Sequence, residues 1–304
     1  MSIIDGGTNL KIDKYQSSRI SEYPNPMSYS LLIETHELAR LQMQSAANQQ
    51  PIVVDCRFDL ANPDSGEQSW RQSHLPNASY AHLNRDLASE VTPATGRHPL
   101  PDVEELVSRL EAWVISNDSQ VVVYDDMSGA YAVRLWWMLR WLGHTKVAIL
   151  NGGWQKWTAE QRPLENTAPH LEAGHFKAAG DDHQWLDRQS VAEGLEKRSI
   201  TLVDARTAER FEGVVEQIDR IAGHIPGAVN HPFQNNLDEA GCFLPADTLR
   251  DRYTRLLGDC DAASVVHMCG SGVTAVHNML AMEIAGMHGS KLYVGSWSDW
   301  IREL

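Results

Sequence analysis

Residues 265–274 read Val-Val-His-Met-Cys-Gly-Ser-Gly-Val-Thr: a short apolar strand runs into a cysteine, a loop bracketed by Gly270 and Gly272, and a helix-forming stretch. That setting suits a nucleophilic thiol. Successive N–H groups of a glycine-rich loop can turn inward as an anion nest, and the helix behind adds the positive end of its dipole. Both effects favour thiolate over thiol, so the sequence predicts a pKa for Cys269 below that of a free cysteine. A cysteine among apolar residues is more often an inert small hydrophobe. The order strand, cysteine, Gly-x-Gly, helix argues for reactivity here.

The elements that must hold this loop can be read from periodicity. Pro51–Val54, Val121–Tyr124, Val147–Leu150, Ile200–Val203, Ser264–His267 and Leu292–Val294 are short, β-branched and non-alternating, as expected of parallel strands covered on both faces. Between them, Val103, Leu106, Val107 and Leu110 recur at helical spacing, as do Val276, Met279, Leu280 and Ile284. Thr35 and Asp187 are expected N-caps, and Gly143 and Gly286 expected C-terminal caps. The stripe Trp136, Trp137, Trp141 reads as core or interdomain packing.

The chain also repeats itself. At an offset of 143 residues, Ser128-Gly129 falls on Ser271-Gly272, Gly143 on Gly286, Trp154 on Trp297 and Trp157 on Trp300. Further upstream, Val54-Asp55-Cys56-Arg57 matches Val203-Asp204-Ala205-Arg206. Such a period is too long for a solenoid and fits two duplicated domains. The expected organisation is an N-terminal extension at 1–25, a first domain at 26–158, a linker rich in proline and small polar residues at 159–180, and a second domain at 181–304. Cys269 of the second copy falls on Asp126 of the first, so one lobe has no nucleophile and serves as wall. A ligand site is expected in the cleft between the lobes.

With 304 residues, 22% charged and 42% hydrophobic, the composition is that of a globular protein of two domains. The net charge of −14 argues against nucleic acid or an anionic membrane as partner. The four cysteines, Cys56, Cys242, Cys260 and Cys269, form no CxxC pair or zinc-finger spacing, and the histidines show no HxxxH or HxH. Neither metal, cofactor nor disulfide framework is indicated. A reduced, cytoplasmic setting is expected, since no signal-like segment or membrane-length apolar run stands out.

Together these residues resemble the tandem-domain sulfurtransferases of the rhodanese superfamily. The resemblance rests on the strand-end pairs Asp55/Arg57 and Asp204/Arg206, the Gly-His-Ile-Pro-Gly-Ala stretch at 223–228, the loop from Cys269 to Thr274 followed by Ala275, and Gly-x-Trp-x-x-Trp at 295–300. It implies an α/β fold of two rhodanese-like domains, each a mostly parallel sheet with helices on both faces. Thiosulfate sulfurtransferases of this architecture typically carry Cys-Arg-Lys-Gly-Val-Thr, whose two cations suit a dianionic donor. The neutral Gly270 and Ser271 here are similar instead to the 3-mercaptopyruvate branch, whose donor is a monoanionic 2-oxo acid bearing a thiol. Thiosulfate remains the alternative donor.

The resemblance implies a Cys269 persulfide cradled by the main chain of Gly270, Ser271, Gly272, Val273 and Thr274. A thiol such as thioredoxin, a small dithiol or cyanide would take up the sulfur. It further implies a proton-handling triad of Ser271, His98 and Asp86, with Arg210 gripping the donor's carboxylate or carbonyl and Arg220 as a second clamp. A histidine near pKa 6.5 would suit such a triad. His98 as an ordinary loop histidine and Ser271 as a small turn residue are the competing reading. Arg57 and Arg206 are expected to make structural ion pairs. Two other functions could use such a loop. Phosphatase-type chemistry needs Cys-x5-Arg, and Ala275 stands where that arginine would be. A persulfide carrier or binding module without turnover would share the loop, and only an assay separates it.

Overall fold

The computed structural model describes residues 28–44, 50–169 and 173–304; the expected extension at 1–25 lies outside them. In chain order the first half contains β1 (Leu32–Ile33), α1 (Thr35–Gln44), β2 (Ile52–Asp55), α2 (Ser65–Gln72), β3 (Ala78–Tyr80), α3 (Leu83–Asp86), α4 (Val103–Ala112), β4 (Val121–Tyr124), α5 (Ala132–Trp141), β5 (Val147–Leu150) and α6 (Gly153–Ala159). The second half contains β6 (Trp185–Leu186), α7 (Arg188–Glu196), β7 (Thr201–Asp204), α8 (Ala208–Phe211), β8 (Val229–Asn230), α9 (Ala246–Leu257), β9 (Val265–Met268), α10 (Ala275–Ile284), β10 (Lys291–Tyr293) and α11 (Ser296–Trp300).

Each half builds one five-stranded sheet, ordered β1-β5-β4-β2-β3 and β6-β10-β9-β7-β8, so the two topologies are the same. Every strand pair in both sheets is parallel. The six strands expected from apolar runs are all present, several displaced one residue toward the C-terminus. Asp55 and Asp204 therefore close the ladders of β2 and β7 rather than follow them. The ladder tolerates these aspartates because each is ion-paired to the arginine two residues on, at 2.7 Å in both lobes. The strands β1, β3, β6 and β8 are two or three residues long, too short to show a period.

Both faces of each sheet are covered. In the first half Val53, Val122, Ala148 and Leu150 pack with Leu38, Leu41 and Trp157 of α1 and α6 on one face. Val54, Val121, Val123, Val147 and Ile149 pack with α4 and α5 on the other, in a core that continues into α9, α10 and β9 of the second half. The duplicated helices α5 and α10 lie against each other, which is why both are apolar nearly all round. Trp136, Trp137 and Trp141 belong to this shared core, with Trp137 stacked on Trp141 at 5.8 Å, so the aromatic stripe is packing.

Both helices stop the same way. Gly143 and Gly286 have φ of +87° and +71°, and His144 N–H and Met287 N–H reach back to the carbonyls of Leu139 and Met282. These are paired Schellman turns, in which glycine is needed for the left-handed residue. Asp187 caps α7 by accepting from Ser190 N–H at 2.8 Å. Thr35 departs from expectation: Glu34 occupies the capping position, its own N–H answered by the Glu37 carboxylate, and Thr35 Oγ1 instead donates to Glu160 at 2.6 Å. The back half of the expected linker packs on the first lobe, with Phe176 buried and Ala179 N–H donating to Leu142 O.

Beneath the second lobe lies a buried polar network. Asn236 donates to Asn278 Oδ1 at 2.7 Å and to His277 Nδ1 at 3.2 Å, while His277 Nε2–H donates across to Ser128 O in the first lobe at 3.1 Å. Burial, opposed by the bond to Ser128, lowers His277 to about 4; burial and nearby His231 lower His267 to about 3. Both are held neutral in the fold, so their stabilising neutral form is fully favoured above pH 6.5 and the contribution is lost as pH falls toward the folded values. An unfolded chain takes up both protons below pH 6.5. The pair alone should cost about 3 kcal/mol between pH 6.5 and pH 5. Urea unfolding at pH 7 and pH 5 should show a clearly lower midpoint in acid; equal midpoints would exclude this linkage.

Candidate active site

The strand β9 ends at Met268, and Cys269 to Thr274 turn from it into α10. Cys269 is 2% exposed, yet its side chain lines a cavity of about 200 Å³ between the lobes, together with His98, Arg97, Arg210, Ser271 and Tyr131. The loop keeps its shape because its carbonyls are tied outward. Trp297 N–H and Ser298 N–H, at the free N-terminal turn of α11, donate to Cys269 O at 3.0 Å and Gly270 O at 2.9 Å. Arg134 of α5 donates to Gly272 O at 2.9 Å. Among the described residues, no acceptor answers the N–H groups of Gly270, Ser271, Gly272, Val273 or Thr274. The Gly-x-Trp-x-x-Trp motif thus has a mechanical role: it ties the loop's carbonyls and leaves its N–H groups unengaged beside the cavity that Gly270, Ser271, Val273 and Thr274 line.

The first lobe shows what such a loop binds. There Asp125 sends its carboxylate into its own loop and accepts from the N–H groups of Met127, Gly129, Tyr131 and Ala132 at 2.7–2.8 Å. At the 143-residue offset Asp125 becomes Met268, and the four amides become those of Gly270, Gly272, Thr274 and Ala275. One lobe has plugged its anion nest with a resident carboxylate, and the other has left it open beside Cys269. Asp126 is the residue facing Cys269 in the comparison of the copies.

Ser271 Oγ lies 2.7 Å from His98 Nδ1, and His98 Nε2 lies 3.0 Å from Asn84 Oδ1. An amide oxygen only accepts, so Nε2 carries the proton and Ser271 O–H donates to Nδ1. Asp86 is not part of this chain of contacts. It closes α3, accepting from His82 N–H, Arg85 and Arg109, and Asn84 stands at the position expected of the carboxylate. The turn of α3 explains the difference: residues two apart on a helix face different ways, so only one of Asn84 and Asp86 can reach His98. Burial first, then the charges of Arg134 and Arg97, lower His98 to about 3. The expected near-neutral titration is therefore replaced by a histidine that stays uncharged.

Arg210 is at the mouth as expected, but its guanidinium is held by Glu216 at 3.0 Å and Asp219 at 2.9 Å. Arg220 is not there. Its guanidinium turns to Ile301 O, away from the cavity, because the short segment from Gly213 to Gly223 places Asp219 rather than Arg220 over the loop. Arg57 and Arg206 make the expected structural ion pairs: Arg206 is tied to Asp204 and to Gly223 O, and each lies over a tryptophan, Trp154 or Trp297, although Arg206 also lines the cavity and lies 3.7 Å from Glu216.

Sequence reasoning missed Arg97, Asn84, Arg134 and Ser296. Arg97 immediately precedes His98 and pairs with Asp219 at 2.5 Å. Arg134 is fully buried with main-chain carbonyls for partners, those of Gly272 and His98 among them. Burial lowers its pKa to about 10, with Cys269 pulling the other way, so it is a cation coupled to the sulfur. A lone arginine inside Ala-Val-Arg-Leu-Trp-Trp-Met was the signal. Ser296 adopts φ +54°, where its counterpart in the first lobe is Gly153 at φ +53°. The strain of about 1–2 kcal/mol is tolerated because Ser296 Oγ accepts Cys269 N–H at 3.1 Å and donates to Tyr293 O.

Comparison with known proteins agrees with this construction. A Pseudomonas aeruginosa protein named "Probable 3-mercaptopyruvate sulfurtransferase" is 43% identical over 271 residues, covering 88% of this chain and 95% of that protein. Thiosulfate sulfurtransferase of Rattus norvegicus is 31% identical over 281 residues, covering 90% and 93%. The solved structure of 3-mercaptopyruvate sulfurtransferase from Leishmania major matches with a TM-score of 0.77 at 28% identity, covering 89% of this chain and 74% of that one. The family model described as "Rhodanese-like domain" matches residues 35–160 and again 187–303, so this chain belongs to the rhodanese family and carries its domain twice.

Proposed function

We propose that this chain is a sulfurtransferase that draws sulfur from 3-mercaptopyruvate onto Cys269 and passes it to a thiol. The observation that carries this reading is the open amide nest beside Cys269, set against its plugged copy in the first lobe. Cys269 attacks the donor's sulfur as thiolate; the S–S bond forms, the C–S bond breaks, and its electron pair leaves as the enolate of pyruvate, which then takes a proton. The outer sulfur of the persulfide, anionic once deprotonated, sits among the N–H groups of Gly270 to Thr274. An acceptor thiolate attacks that outer sulfur and releases Cys269.

In this scheme Ser271 and His98 work as a neutral pair. The imidazole holds Ser271 O–H in place, and its low basicity leaves it poorly suited to carry a full positive charge. Arg210 meets the donor's carboxylate while Arg97 stays paired with Asp219, Arg134 supplies fixed positive charge behind the sulfur, and Gly272, Val273 and Thr274 contribute main chain. Arg220 and Asp86 have no part in it. The acceptor is a dithiol of the thioredoxin type or a small thiol, in a cytoplasmic setting; among the described residues no helix is long and apolar enough to cross a membrane.

Thiosulfate is the second reading, favoured by two guanidiniums at the mouth, Arg97 and Arg210. Comparison of kcat/KM for the two donors decides. A preference of at least tenfold for 3-mercaptopyruvate is expected, and a preference for thiosulfate would overturn the assignment of donor.

A further inference from the structure

The anion subsite carries its own counter-charge. Asp219 is 2% exposed at the side chain and bridges Arg97 of the first lobe, at 2.5 Å, to Arg210 of the second, at 2.9 Å. Glu216, 4% exposed, takes Arg210 from the other side and accepts the N–H groups of Ile218 and Asp219 at 2.9 and 3.0 Å, which fixes the turn that carries Asp219. This group stands directly above the nucleophile's loop. A methyl carbon on Gly270 would lie 2.9 Å from Arg97 Nη2 and 3.7 Å from both Arg210 Nη2 and Asp219 Oδ2.

Among the described residues the charges at the mouth therefore balance: the guanidiniums of Arg97, Arg210 and Arg206 stand against the carboxylates of Asp219, Glu216 and Asp204. A donor with one negative charge can draw Arg210 forward and leave Arg97 to Asp219. A donor with two brings a second charge close to a buried carboxylate that has no solvent to screen it; Arg206, which lines the same cavity, is already engaged by Asp204 and Gly223 O, with Glu216 at 3.7 Å. Sequence features pointed to selection by the neutral loop residues Gly270 and Ser271; the structure adds a second device on a different segment.

We propose that Asp219, seated by Glu216, is a specificity-determining residue that tunes the subsite to monoanionic sulfur donors and against dianions. It rests on the monoanionic donor proposed above, and its test uses unreactive anions so that the two can fail separately. Alkylation of Cys269 by iodoacetamide, read by mass analysis of its peptide at constant ionic strength, reports occupancy of the site. In the native protein pyruvate should protect at concentrations at least tenfold below those of sulfate. Asp219→Asn, which keeps shape and removes charge, should lower the half-protecting concentration of sulfate about tenfold while moving that of pyruvate less than threefold. The same variant should raise the ratio of kcat/KM for thiosulfate to that for 3-mercaptopyruvate about tenfold. Sulfate protecting the native protein as well as pyruvate does, or an Asp219→Asn protein whose sulfate protection stays within twofold of native, would overturn the proposal. If Asp219→Asn does not fold, as judged by circular dichroism, the native comparison of pyruvate with sulfate decides alone. Absence of mercaptopyruvate turnover would remove the proposed donor yet leave the sulfate measurements to judge charge selection.

Discussion

Cys269→Ser will lose at least about 10⁴-fold of sulfurtransferase turnover while remaining folded. The substitution changes one atom in a side chain that is 2% exposed and fitted to the loop, so packing is nearly conserved. What is lost is the element: a serine hydroxyl is a far weaker acid than a thiol and forms no persulfide. None of the other cysteines can stand in. Cys56 is buried in the first lobe, where burial and the carboxylates of Asp55 and Asp125 push its thiol far up. Cys242 is likewise pushed up by burial, and Cys260 hydrogen-bonds Thr201 and Ser264 at the far end of β9 from the cavity. The check is paired. Intact-mass analysis after donor exposure should find one added sulfur, localised to the peptide containing Cys269, in the native protein and none in the variant. Undiminished release of pyruvate from the variant would end the mechanism.

The parts of this architecture that sequence could reveal are those enforced locally. Ala132–Trp141 and Ala275–Ile284 keep the 143-residue offset without slippage, because each is bounded by a loop that needs its glycines and by a Schellman turn that needs its own. The nucleophile was legible for the same reason. The partners of the loop were not, since they come from the other lobe or from distant turns. Asn84 and Asp86 differ only in which way a four-residue helix points them, and nothing local distinguishes a histidine backed by an amide from one backed by a carboxylate. Arg97 and Arg220 show the same limit. Both are arginines near motif residues, and only the path of the chain from Gly213 to Gly223 sets Asp219, and through it Arg97, over Gly270. Arg134 was legible in principle as a cation in an apolar helix, but its target, a carbonyl of the opposite lobe, was not.

A backbone test separates the open nest from the thiol it serves. Gly272 sits at φ +75°, and a Cβ there would lie 2.2 Å from Val294 O, a main-chain atom of the segment following β10 and not the free end of a side chain. Gly272→Ala must therefore displace the loop, which carries Gly272 O away from Arg134 and the neighbouring N–H groups away from the sulfur. The left-handed backbone and the clash together should cost about 2 kcal/mol of stability, a loss that a two-lobed core of this size absorbs. Activity should fall much further, by roughly 10²-fold in kcat, because misplacing preorganised donors by an ångström is enough for that loss. Gly270→Ala is the matched control. It has ordinary φ, and the one close approach of its Cβ would be to the end of Arg97 at 2.9 Å, with Arg210 and Asp219 at an ordinary contact distance of 3.7 Å, so the expected effect is a few-fold rise in KM with kcat nearly kept. If Gly272→Ala were folded and turned over at the native kcat, the amides could not be what stabilises the sulfur anion, and Cys269 would owe its reactivity to Arg134 and the helix end alone.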